Sequence, residues 1–308
     1  YPRSVRKSLA VVGANGFVGR EVITRAVERG LRVVGFVRSA EAAEVVLQRG
    51  GEPVLLSSLS PSSRSALTEA LRDCLGIVYT ASVSTGLPGA NRTDPEGLRT
   101  VIASCLDASV RGFVFLSGLG IARYGMNPHC TNPYFLAKMA GEVELFRSPL
   151  AVTVLRPSYI FGAGDELLTP LAARLRANAS IEAPGDASYR MQPVSVGDVA
   201  RAALNALDAV AKGSSGPTVV DAVGPEALSY RHLIERVSQA AAARPPVISS
   251  RPVEEALSMA RASGYFGMRP HDLACLLCDE VADAAPMRAL VGSPFESLDA
   301  MIEAVNAS

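Results

Sequence analysis

Three glycines and a tyrosine–lysine pair are the residues of this chain whose types and spacing suit them to chemistry. The run Leu9-Ala-Val-Val-Gly13-Ala-Asn15-Gly16-Phe17-Val18-Gly19 carries a short apolar strand into a tight turn that opens a helical pattern. Gly13 lets the chain turn without a Cβ clash, Gly16 lets backbone approach a pyrophosphate, and Gly19 lets helix and strand pack closely. The helix N-terminus then presents free N–H groups and a partial positive charge, which suits the phosphates of a dinucleotide. Asn15, Phe17 and Val18 belong to the same expected binding turn.

The second group is Asn132-Pro133-Tyr134-Phe-Leu-Ala-Lys138-Met-Ala-Gly141-Glu142. Asn132 suits a helix cap and Pro133 the first helical position. Tyr134 and Lys138 then lie four apart on one face. A lysine ammonium beside a tyrosine favours the phenolate and lowers a pKa that starts at about 10. Such a tyrosine exchanges a proton with a substrate oxygen near neutral pH. The spacing alone also fits a solvated lysine lying over an amphipathic tyrosine. A glycine-turn nucleotide site earlier in the chain favours the chemical role. Gly141, on the same face, permits close packing.

The end of the second expected strand decides the cofactor. A site for NAD(H) places Asp or Glu there to accept from the ribose hydroxyls. This chain reads Phe36-Val37-Arg38, with no acid before Glu41. Arg38 has the donor fork to pair with a 2′-phosphate, so NADP(H) is expected and NAD(H) disfavoured.

These residues need a frame to hold them. Apolar runs at 31–37, 54–56, 76–81, 113–116 and 152–155 alternate with amphipathic helical patterns. That rhythm predicts an α/β fold, a doubly wound parallel sheet of Rossmann type with ligands at its C-terminal strand edge, which includes Ala81. From Gly164 the rhythm breaks. Residues 167–177 read as helix, 183–186 as a turn, 192–207 as strand then helix, with Asp198 as the helix cap, and 217–220 as strand. A dinucleotide-binding domain is expected at 8–163 and 189–224. A smaller, mainly helical lobe on the substrate side is expected at 164–188 and 225–308.

Composition narrows the function classes. Among 308 residues, 30 basic and 30 acidic side chains cancel, and no basic run interleaves with aromatics, so nucleic acid is not an expected partner. No stretch reads as a membrane span; residues 74–91, the longest without charge, are broken by Gly76, Gly86 and Pro88. Five scattered cysteines fit a reducing compartment better than a disulfide framework. Cys275 and Cys278 have zinc-like spacing but lack a second pair, so no metal site is expected. His129, His232 and His271 have no patterned partners. Arg3, Arg6 and Lys7 precede any acidic residue, which fits the edge of an organelle transit peptide or a trimmed start.

With these motifs, residues 8–240 resemble the extended and atypical branch of the short-chain dehydrogenase/reductase superfamily, the epimerase/dehydratase-like proteins. The resemblance implies that Tyr134 is the acid/base, that Lys138 also holds the nicotinamide ribose, and that the strand Leu155-Arg-Pro157-Ser-Tyr-Ile-Phe-Gly162 closes the nicotinamide pocket. Within that branch, Gly16-Phe-Val-Gly-Arg20, Lys138-Met-Ala-Gly-Glu142, Phe161-Gly-Ala-Gly-Asp165, Gln192-Pro-Val and Val223-Gly-Pro225 look most like the NADPH-binding accessory subunits of mitochondrial respiratory complex I and their bacterial relatives. This resemblance implies a mainly structural cofactor, other subunits of a membrane-bound respiratory complex as partners, and a place on the matrix side, peripheral to the inner membrane; a cytoplasmic location is the alternative. The competing function is an active NADP-dependent reductase or a nucleotide-sugar-type epimerase/dehydratase using Tyr134 and Lys138. Two departures bear on the choice. Leu55-Leu56-Ser57-Ser58-Leu59 lacks the aspartate that contacts adenine in the family. Gly118 falls where active members carry Ser or Thr, and Ser117 serves as the catalytic hydroxyl only if the strand end shifts by one residue.

Overall fold

Residues 8–12 are buried along their whole length and form the first strand, β1 (Ser8–Val12). An apolar run of this kind suits a strand covered by helices on both faces. The protein is described by a computed structural model that covers residues 8–81, 90–126, 133–177, 180–241, 245–263, 265, 270–292 and 294–307. After β1 come α1 (Phe17–Glu28), β2 (Arg32–Val37), α2 (Ala40–Gln48), β3 (Glu52–Leu55), α3 (Arg64–Leu71), β4 (Cys74–Tyr79), α4 (Ala90–Asp107), β5 (Gly112–Leu116), α5 (Pro133–Phe146) and β6 (Ala151–Pro157). Then follow β7 (Ile160–Phe161), α6 (Leu168–Ala177), β8 (Ser180–Pro184), β9 (Arg190–Met191), β10 (Val194–Ser195), α7 (Val196–Ala211), β11 (Thr218–Ala222) and β12 (Leu228–Ser229). The chain ends with α8 (Tyr230–Ala240), β13 (Val247–Arg251), α9 (Val253–Ser263), α10 (Pro270–Leu276), α11 (Ala285–Val291) and α12 (Leu298–Asn306).

Among the described residues, seven strands form one sheet in the order β3-β2-β1-β4-β5-β6-β11, with every pairing parallel. This is the expected doubly wound α/β sheet. The order reverses between β1 and β4, where the loops leaving the two strands diverge and open a crevice. Side chains alternate across the sheet as the strand period requires. Leu9 and Val11 join a core with α1, α7 and α11, and Ala10 and Val12 join a core with α3 and α4. A third core gathers α6, α8, α9, α10 and α12 beyond the C-terminal strand edge.

Five local expectations need correction. Ala183 and Pro184, expected in a turn, end β8, and the turn begins at Gly185, whose φ is +59°. β8 pairs in parallel with β13, a strand inside the stretch expected to be helical. Of residues 189–224, β11 joins the main sheet, whereas β10 pairs with β7 and β9 pairs antiparallel with β12. The cap of α7 is Ser195, whose Oγ accepts from the Asp198 N–H at 2.9 Å, and Asp198 sits in the first turn instead. α11, in the stretch assigned to the lobe, packs on α7 and β11. No helix among the described residues is long and apolar enough to cross a membrane.

Candidate functional site

The turn after β1 is shaped by its glycines. Gly13 has φ +82°, and a Cβ there would stand 2.7 Å from Thr80 Oγ1 and 2.8 Å from the Ala81 nitrogen. A Cβ on Gly19 would overlap the Gly13 carbonyl, so helix and strand approach as closely as they do because both positions are bare. Gly16 caps α1 without a side-chain acceptor, and the first turn of that helix carries no acid. Its N–H groups are therefore available to an anion. Gly13, Asn15, Gly16, Phe17 and Val18 line a cleft of about 600 Å³; Gly19 lies behind them. Arg38, exposed at the end of β2, lines the same cleft, and Leu56 and Leu59 give it an apolar wall where the family aspartate is missing. Bare backbone, an uncapped helix start and a nearby guanidinium fit a dinucleotide phosphate, and a nicotinamide dinucleotide held there supplies hydride chemistry.

α5 begins at Pro133, as expected; its expected cap Asn132, like His129 and Cys130, lies outside the described residues. Tyr134 and Lys138 both line the cleft. Lys138 is 1% exposed, and its Nζ donates to the Leu116 carbonyl at 2.9 Å and the Ala81 carbonyl at 3.2 Å. The ammonium stands 5.6 Å from the Tyr134 ring centroid and 5.0 Å from that of Phe115. Two strand ends thus fix the lysine beside the tyrosine. Close approach of α5 to the sheet depends on Gly141, where a Cβ would lie 2.9 Å from the Phe115 ring. Pro157 and Ala81 border the same space.

Ser117 does not fill the role of a catalytic hydroxyl. Its Oγ donates to Glu142 at 2.6 Å in a buried bond, and Glu142 is also gripped by Arg156 through two hydrogen bonds. The carboxylate holds the Arg156 guanidinium above its ordinary pKa. Gly118 instead is the residue beside the tyrosine: a Cβ there would lie 3.4 Å from Tyr134 Cε1. The strand register therefore sends the one hydroxyl away and leaves a bare backbone at the reacting position.

The lobe side of the cleft holds residues to which the motifs gave no separate role. Asp165 accepts from the backbone of Gly162, Leu167 and Leu168 and so caps the start of α6; burial nevertheless pushes its carboxyl upward. Tyr159 and Glu280 also line the cleft. Burial drives the Glu280 carboxyl up to about 8, and drives the Tyr159 phenol well above its ordinary value. Residue 159 lies within the stretch expected to close the nicotinamide pocket, but residue 280 belongs to no motif, so only the folded chain puts both on one cleft. Cys275 lies in α10 and lines the cleft; Cys278, beyond that helix, packs with Phe135.

Comparison with known proteins agrees with this geometry. The profile of a family described as NAD(P)H-binding matches residues 13–210. The 4-hydroxy-2-methyl-3-oxo-4-farnesyl-3,4-dihydroquinoline-1-oxide ketoreductase of Stigmatella aurantiaca is 28% identical over 181 residues, 52% of this chain and 52% of that protein. The photosystem II assembly factor Ycf39 of Synechocystis sp. is 27% identical over 175 residues, 53% of this chain and 52% of that one. The chain thus spans about half the length of these curated relatives. The UDP-glucose 4-epimerase of Bifidobacterium longum, solved with NAD+ and UDP, superposes with a TM-score of 0.73 over 97% of each chain at 17% identity. At that identity the likeness concerns the fold alone.

Proposed function

The chain belongs to the NAD(P)H-binding family, and on that premise we propose that it is an NADP(H)-binding subunit of a larger assembly, whose cofactor mainly stabilises the subunit. The finer form of the proposal is an accessory subunit of respiratory complex I, peripheral to the matrix side of the inner mitochondrial membrane. The observation that carries it is the reacting position: Gly118 offers no hydroxyl, and that of Ser117 is bound by Glu142. Loss of one oxyanion donor costs other enzymes on the order of a hundredfold in rate. Arg38 at the cleft supports the choice of NADP(H) over NAD(H). A partner surface is supported by Leu136, Val143 and Phe146, exposed along α5, and an assembly role by a relative named as an assembly factor.

The test is isolation of the native protein, which is expected to comigrate with a membrane complex. Tyr134→Phe should leave that assembly and its electron transfer nearly intact, and Gly16→Val should impair both. A second function, an NADP-dependent carbonyl reductase, is favoured by Tyr134 and Lys138 on one cleft wall. In it Tyr134 passes a proton to a substrate oxygen and Lys138 fixes the ribose. Robust NADPH oxidation with small carbonyl compounds, lost in Tyr134→Phe, would overturn the structural role.

A further inference from the structure

The geometry points to a second polar site in the cleft: the Glu280 carboxyl and the Tyr159 hydroxyl together hold an oxygen of an uncharged, largely apolar carbonyl or hydroxyl compound. The inference rests on the cofactor-binding function only in sharing its cleft, and it holds whether or not the ligand is turned over.

Glu280 is fixed by its backbone and left free at its carboxyl. Its N–H donates to the Arg190 carbonyl at 2.9 Å, and its own carbonyl accepts from Ser158 Oγ at 3.0 Å. Met191 bridges to it as well. The side chain lines the cleft at 5% exposure, with no hydrogen bond or ion pair to the carboxyl among the described residues. Beside it the Tyr159 hydroxyl is buried and lacks a partner among the described residues. A buried polar group left unsatisfied is costly, and here two belong to residues that line one cleft. A ligand oxygen satisfies both at once.

The charge of the lining selects the ligand class. Among the described residues, the cations that line the cleft, Arg38 and Lys138, lie on its cofactor side, and Lys138 is already held by two carbonyls. The lobe side presents Asp165, Glu166 and Glu280. Among the described residues, a phosphate or carboxylate there meets acids and no guanidinium or ammonium, so nucleotide-diphosphate sugars are disfavoured and uncharged compounds accepted. Leu167, Leu276 and Ile160 supply apolar wall for the rest of such a molecule.

Protonation sets when the carboxyl donates. With its pKa raised to about 8, Glu280 is a neutral acid at neutral pH and hydrogen-bonds a carbonyl oxygen; above that pH it repels one. The other titratable groups lining this space are Tyr159, Tyr134 and Cys275, with Lys138, Asp165 and Glu166 along the wall; Cys278 and Tyr189 act on Tyr159 from outside the lining. Asp279, adjacent in sequence, is turned to the Arg190 N–H.

The experiment titrates cyclohexanone and acetophenone into the full chain, with and without NADPH, by saturation-transfer NMR, and repeats it with UDP-glucose. NADPH uptake is followed separately by its fluorescence, so the cofactor function and the ketone site can fail independently. Ketone affinity should fall about 30-fold between about pH 6.5 and about pH 9.5, in step with the protonated fraction of Glu280. Glu280→Gln, which keeps a donor, should bind ketones without that pH dependence. Tyr159→Phe should weaken them about five- to tenfold with an unchanged melting temperature, the loss of one hydrogen bond. The site is overturned if the ketones do not bind, if UDP-glucose binds as tightly, if Glu280→Gln keeps the pH profile, or if Tyr159→Phe binds like the native chain.

Discussion

The two ends of the cleft are built by opposite means. At the phosphate end the surface is backbone: glycines hold side chains away, and the uncapped start of α1 supplies N–H groups. At the lobe end the surface is side chain, with Tyr159, Asp165 and Glu280 arriving from separate parts of the chain. The first end depends on what is absent and accepts little substitution at Gly13 or Gly19. The second depends on individual functional groups and can be retuned one at a time. Shape dictates binding at one end, and protonation and charge dictate it at the other.

The largest effect should come from breaking the backbone end. Gly19→Val drives two methyl groups into the Gly13 carbonyl region, and should abolish NADPH binding and lower stability by more than about 4 kcal/mol in urea unfolding. A binding-competent Gly19→Val protein would remove the distinction between the two ends. Next comes the floor between them. Glu142→Ala leaves the partly buried Arg156 guanidinium without its partner and frees Ser117, at a cost of about 3–4 kcal/mol in the same assay.

At the lobe end, stability should follow pH through Glu280. Its folded pKa lies above its ordinary value of 4.5, at about 8, so the native state binds more protons and the stabilising contribution is present below about pH 4.5 and lost as pH rises through 8. Relative to Glu280→Gln, the native chain should lose about 4 kcal/mol across that window. Parallel stability curves for the two would show that burial does not govern this carboxyl. The smallest effect sharpens the cationic side: Arg38→Ala should weaken NADPH by about 1–3 kcal/mol and NADH hardly at all in calorimetry. Equal weakening of both would remove the 2′-phosphate assignment.

Sequence and structure part company along the same line. The backbone end was legible because glycine spacing and a strand-to-helix switch are local patterns, and β1, β2, β4, β5 and β6 fall within a few residues of their expected places. Tyr134 and Lys138 were legible because four residues make a helix turn. The direction of the Ser117 hydroxyl was open, since one residue of strand register decides whether it meets Glu142 or the cleft. β8 and β13 escaped because the Ala183-Pro-Gly run imitates a turn, and the pairing partner lies more than sixty residues away. Glu280 carries no pattern at all, and the motif around Tyr159 says nothing of its hydroxyl; burial alone gives them meaning, and burial is known only after folding.

The path of the chain has a last consequence. It leaves the sheet after β6 for the lobe, returns through α7 and β11, departs again through α8, α9 and α10, touches back at α11, and ends in the lobe with α12. So many crossings act as stitches. Neither half can swing open or melt without pulling segments out of the other, so heating should produce one calorimetric transition with matching van't Hoff and calorimetric enthalpies. Ligands must then enter by local rearrangement at the cleft mouth, with the two halves keeping a fixed orientation.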